Sequence, residues 1–79
     1  MAAKPPSAKL RALLRQRINR RIDELNLSRA EAAAELGFTA SQMTRLHAGE
    51  DIFSLDRLVD AAAAIGLTVR MTATRPYGQ

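Results

Sequence analysis

The chain contains no cysteine, no tryptophan and a single histidine among its 79 residues. Without thiols it can form neither a disulfide nor a thiolate metal site, and the lone His47 has no second imidazole or thiolate with which to share a metal ion. No metal or cofactor is expected, and the lack of cysteine suits a reducing cytoplasm. Long apolar runs are also missing. The longest, residues 59–67, is broken by Asp60 and Gly66 and falls far short of the ~20 apolar residues a membrane span needs. Residues 1–6 lack the apolar stretch of a signal peptide. These absences predict a soluble, cytoplasmic protein that does not engage membranes. Groupings that carry catalysis are absent too. Asp23-Glu24 and Glu50-Asp51 are neighbouring acids suited to helix-end and loop roles, and there is neither a Ser/His/Asp arrangement nor a phosphate-binding glycine loop. An enzyme is not expected, and no residues suggest a small-molecule pocket.

What is present is base, and it is unevenly placed. Twelve Lys+Arg against eight Asp+Glu give a formal charge of +4. The excess is N-terminal, where Lys4, Lys9, Arg11, Arg15, Arg17, Arg20, Arg21 and Arg29 face only Asp23 and Glu24. Arginine forks match phosphate geometry, so the field favours a polyanion, most simply nucleic acid. The first-helix arginines also read as a solvated face supported by pairs such as Arg20 with Glu24. A chain this short forms one domain and buries only about 60% of its unfolded surface, so a partner subunit would add useful burial.

Residues 1–6, with Pro5-Pro6, read as a mobile lead-in, and residues 7–66 as a helical domain. Ser7 is placed to cap a first helix running to about Asn26, with Leu14, Ile18, Ile22 and Leu25 as its core stripe. Leu10 lies on the same side as Arg17 and Arg21, so the start of that helix is expected to lie off the core. A second helix begins at Ser28, where Ser28 and Glu31 have the spacing of a capping box, and stops at Gly37. Ala33 and Ala34 are expected to allow close approach of the next helix. Thr39 caps a third helix through Ala48, with Met43 and Leu46 inward and Gly49 at its left-handed end. Ser54 caps a fourth, whose stripe is Leu55, Leu58, Val59, Ala62 and Ile65.

The period then changes from helical to two. Leu67, Val69, Met71 and Ala73 alternate with polar residues, predicting a strand over residues 67–75 before a short tail, residues 76–79. A lone strand is unstable, and the simplest partner is the same strand of a second copy, giving a homodimer. The alternative is an extended arm lying on the helices or a disordered tail.

Two capped helices joined by a short turn leave the second with a projecting face able to enter a major groove roughly 12 Å wide. The pattern L-S-x-A-E-A-A-x-x-L-G-F-T-x-S-x-M-T-x-L-x-x-G over residues 27–49 has this form. Together with F-S-L-D-R-L-V over residues 53–59 and G-L-T-V-R-M-T-A-T over residues 66–74, it resembles the XRE or lambda-repressor-like helix-turn-helix family. The similarity is greatest to the small HigA-type antitoxins of toxin–antitoxin operons, and stand-alone XRE-type regulators share the same pattern. The resemblance implies a mainly α fold of four to five helices, double-stranded DNA as partner, a palindromic operator and autorepression, with a cognate ribonuclease toxin as a second partner. It places Ala40, Ser41, Thr44 and Arg45 against base edges, Arg45 on guanine, and Ser28, Arg29, Thr39 and Gln42 against phosphates. Relatives commonly carry Gln at the positions of Arg29 and Ala40, and Pro or Gln at that of Ser41. Alanine at position 40 removes a bidentate amide reader and also fits a second reading, a protein-interaction module with little specific DNA binding.

Overall fold

A computed structural model of the protein describes residues 6–70. Four helices follow one another, α1 (Pro6–Glu24), α2 (Arg29–Leu36), α3 (Ala40–His47) and α4 (Leu55–Ala64). They enclose one core whose largest fully buried side chains are Ile18 of α1, Leu46 of α3 and Leu58 of α4, joined by Ile22, Ala32, Leu36, Phe38, Met43, Phe53, Ala61, Ala62 and Ile65. Met43 and Leu46 therefore point inward as the helical period requires. Of the expected α4 stripe, Leu58, Ala62 and the capping Ile65 enter the core with Ala61, whereas Leu55 and Val59 lie half-buried at its margin.

The first helix begins at Pro6, one position ahead of the expected cap at Ser7. Proline is tolerated there because its missing N–H would have had no helical acceptor. Ser7 instead lies inside the first turn and accepts a hydrogen bond from Arg11 Nη1 at 3.0 Å. At the other end α1 stops at Glu24, and Leu25 does not join the core stripe but stays 41% exposed. The cause is the turn that follows. Asn26 takes a left-handed φ of 54°, its N–H donates to Asp23 O at 3.1 Å, and Leu27 N–H reaches back to Ile22 O at 3.1 Å. This 6→1 and 5→2 pair redirects the chain so that Leu27, not Leu25, packs against the core. The start of α1 does lie off the core, with Leu10 and Leu13 37% and 57% exposed. Arg21, a polar residue on that same side, donates from Nε to Ile65 O at 3.1 Å and ties α1 to the end of α4.

The small residue that lets α2 come close is Ala32, fully buried, while Ala33 is half-buried and Ala34 exposed. Of the two alanines expected at the contact, Ala33 packs half-buried against the core and Ala34 faces solvent, because Ala32 and Leu36, four apart, define the inner face of α2. No strand is formed among the described residues. Along residues 67–70 the burial nonetheless alternates. Leu67 and Val69 are half-buried against the core, and Thr68 and Arg70 are exposed. Met71 and Ala73, the other two residues of the expected dimer strand, lie outside the described residues, as do residues 1–5. No helix among the described residues is long and apolar enough to cross a membrane.

Candidate nucleic-acid interface

Two helices of eight residues each, α2 and α3, are joined at Gly37, Phe38 and Thr39. Each starts with the same reciprocal cap. In α2, Ser28 Oγ accepts from Glu31 N–H at 3.1 Å and Glu31 Oε1 accepts from Ser28 N–H at 2.9 Å. In α3, Thr39 Oγ1 accepts from Gln42 N–H at 3.1 Å and Gln42 Oε1 accepts from Thr39 N–H at 2.9 Å. The sequence shows Thr39 as the cap of α3, and the structure adds the reciprocal bond from Gln42, which closes the box as Glu31 does in α2. Gly37 closes α2 at φ 71°, a conformation that strains any residue with a Cβ. Its neighbour Phe38 turns inward and stacks on Phe53, with ring centroids 4.7 Å apart and planes 8° from parallel. That pair fixes the turn between the helices to the loop that precedes α4.

With Met43 and Leu46 buried, the opposite face of α3 presents Ala40, Ser41, Thr44 and Arg45, all exposed. The four residues assigned to base edges thus share one outward surface. Thr44 Oγ1 donates to Ala40 O at 3.1 Å, so its hydroxyl proton is committed to the helix and it offers the surface an acceptor and a methyl group. The four assigned to phosphates lie at the starts of the two helices, and each keeps a donor free of these bonds. Ser28 and Thr39 use only their oxygen lone pairs in capping, Gln42 uses only its carbonyl oxygen, and Arg29 is exposed. Glu31 qualifies this picture. Hydrogen bonds from Ser28, the backbone N–H foremost, hold its carboxyl below the usual carboxylate range, so a negative charge stands beside Ser28 and Arg29.

The arginines divide into two groups. Arg11 and Arg15 of α1 both engage Asp51, at 2.7 Å and 3.0 Å, and Arg20 and Arg21 approach Glu24 at 3.8 Å and 3.7 Å. Much of the basic series of α1 is therefore committed to carboxylates within the fold, and Arg15 is itself buried. Asp51 sits in the loop after α3. Its carboxyl is held below the ordinary range, first by the hydrogen bond from Arg11 and then by the nearby charges of Arg11 and Arg15. Among the described residues Arg17, Arg29, Arg45, Arg57 and Arg70 form no ion pair, and of these Arg29, Arg45 and Arg57 are exposed on or beside α2 and α3. Arg57 and Asn19 were missed from sequence. Asn19 follows Arg11 and Arg15 at steps of four, and that polar stripe beside the apolar one is the signal that could have found it.

Two short capped helices around a tight turn, the second turning a polar face outward and the first ending over the same core, define a helix-turn-helix. The chain belongs to the helix-turn-helix domain family, whose pattern it matches over residues 1–74. No curated protein sequence matches it. The family and the exposed arginines together make this a DNA-binding class of domain.

Proposed function

We propose that the protein is a sequence-specific transcriptional repressor that lays α3 in the major groove. The observation that carries this reading is the shared exposure of Ala40, Ser41, Thr44 and Arg45 on a helix whose other face is anchored by Met43 and Leu46. Arg45, with no acid to neutralise it among the described residues, is the base reader, matched to the N7 and O6 acceptors of guanine. Ser28, Arg29, Thr39 and Gln42 hold the register on phosphates through the donors their caps leave free.

The protein acts as a homodimer on a palindromic operator with half-sites ~34 Å apart or a multiple of that. Leu67, Val69, Met71 and Ala73 make the subunit contact, a reading that rests on the two-residue period of the sequence. Leu67 and Val69 also pack half-buried against their own core, as the alternative of an arm lying on the helices requires. In the HigA-like version the protein represses its own operon as an antitoxin and neutralises a ribonuclease encoded beside it. The exposed Leu10 and Leu13, which a groove-docked α3 does not use, supply apolar surface for such a partner.

The deciding experiment is titration of the DNA upstream of its own coding region, across a salt series, with the wild type and Arg45→Ala. A sequence preference that is lost in the variant, on a binding constant that falls with salt, supports the reading. Weak binding indifferent to sequence sinks it. For the dimer, a chain truncated before Leu67 is expected to sediment as a monomer or to lose its fold, and a stable dimer after truncation rejects the strand model. Co-purification with the product of the adjacent gene tests the antitoxin role.

A further inference from the structure

We infer that Arg57 is a phosphate contact, and that with Arg29 it brackets the reading helix with one cation at each end. The inference rests on the DNA-binding reading above and adds a residue to it. Arg57 lies in the first turn of α4, outside the helix-turn-helix, yet its guanidinium carbon stands 5.1 Å from the centroid of the Phe38 ring. Phe38 immediately precedes Thr39, the cap of α3, so the cation is held beside the N-terminal end of that helix. Arg29 borders a shared cleft with Met43 and His47, at the opposite, C-terminal part of α3. A helix of eight residues is about 12 Å long, comparable with the ~12 Å width of the major groove. Cations beside the two ends of such a helix suit the sugar–phosphate backbones that border the groove.

The environment of Arg57 favours this use. The Phe38 ring is itself fixed, buried and stacked on Phe53, so the surface on which the guanidinium rests is rigid. An arginine lying over a ring keeps its N–H donors at the edge of its plane, directed away from the ring and free for a bidentate acceptor. Asp56 is its neighbour and Asp60 lies one turn on, but among the described residues Arg57 pairs with neither. The ring holds the side chain where the adjacent acids do not capture it. Both carboxylates oppose a phosphate approaching α4, so the salt dependence of binding carries their effect together with that of Arg57.

The test compares wild type, Arg57→Ala and Arg57→Lys on one duplex carrying the upstream sequence and on a scrambled duplex, over about 50 to 200 mM salt. Removing one phosphate contact is expected to reduce the slope of log binding constant against log salt by about 0.9. The loss should be equal on the two duplexes, leaving the preference between them unchanged, and lysine should restore the slope. A wild-type slope in the alanine variant overturns the inference while leaving the DNA reading intact. A slope that falls and is not restored by lysine, together with a lower urea midpoint, assigns the effect to packing and also overturns it. Wild-type binding without salt dependence removes the DNA reading and this inference with it.

Discussion

The side-chain amide of Asn19 donates to the carbonyl oxygen of Leu46, 27 residues away, at 3.1 Å. It thereby couples the middle of α1 to the last turn of α3. Four and eight residues earlier on α1, Arg15 and Arg11 hold Asp51 in the loop that follows. One polar row on α1 thus grips both the end of α3 and its exit. Asn19→Ala is expected to lower stability by about 1 kcal/mol, the usual net worth of one such bond. Urea denaturation should show a lower midpoint with an unchanged slope.

The Asp51 grip responds to acid. Its folded carboxyl titrates below its unfolded value, so the contribution of the pair is complete above the ordinary carboxylate range near about pH 4. It is lost as pH falls through the depressed folded value. Wild type is therefore expected to exceed Asp51→Asn in melting temperature at neutral pH, with the gap closing in strong acid. A gap that stays constant from neutral pH to pH values well below the carboxylate range would show that the pair is not what the variant removes.

Asn26 is the one non-glycine residue with a left-handed backbone, at φ 54°, among the described residues. Asparagine tolerates this region better than other side chains with a Cβ. Asn26→Ala should cost about 1 kcal/mol, whereas Asn26→Gly should leave stability within about 0.5 kcal/mol of the wild type or raise it. Equal stability of the alanine variant and the wild type would mean that the turn relaxes to another conformation.

Ala32 and Ala34 have the same side chain in the same helix with opposite exposure. Ala32→Leu forces extra volume into a closed contact and should cost about 1–3 kcal/mol. Ala34→Leu, facing solvent, should be near neutral. Thermal melts of the two variants read the difference directly.

The helix boundaries at Ser28, Gly37, Thr39, Gly49 and Ser54 were legible because capping is local chemistry, settled within three or four residues. Met43, Leu46 and Leu58 were legible because one stripe per helix meets one core. What the sequence hid is long-range. Nothing near Asp51 announces that two arginines 36 and 40 residues earlier close on it, and nothing near Arg57 announces Phe38. Leu25 was misplaced for a related reason. Its periodicity is perfect, but the periodicity ended one residue too soon, at a turn that only Asn26 marks. The alanine run of α2 carries no phase in its uniform composition, so Ala32 does not stand out from Ala33 and Ala34 until the core is seen. The outward face of α3 could be assigned from its own period and from the family resemblance together, since its buried members are themselves regularly spaced.

The first turn of α3 contains no charged residue, and its cap is closed by a neutral amide where α2 uses a carboxylate. Ala40 and Ser41 are exposed and take no part in that cap. The residues that keep the helix in place and the residues free to vary at its tip are therefore different ones. If α3 reads DNA as proposed, single changes at positions 40 and 41 would exchange one target sequence for another with folding left out of the trade.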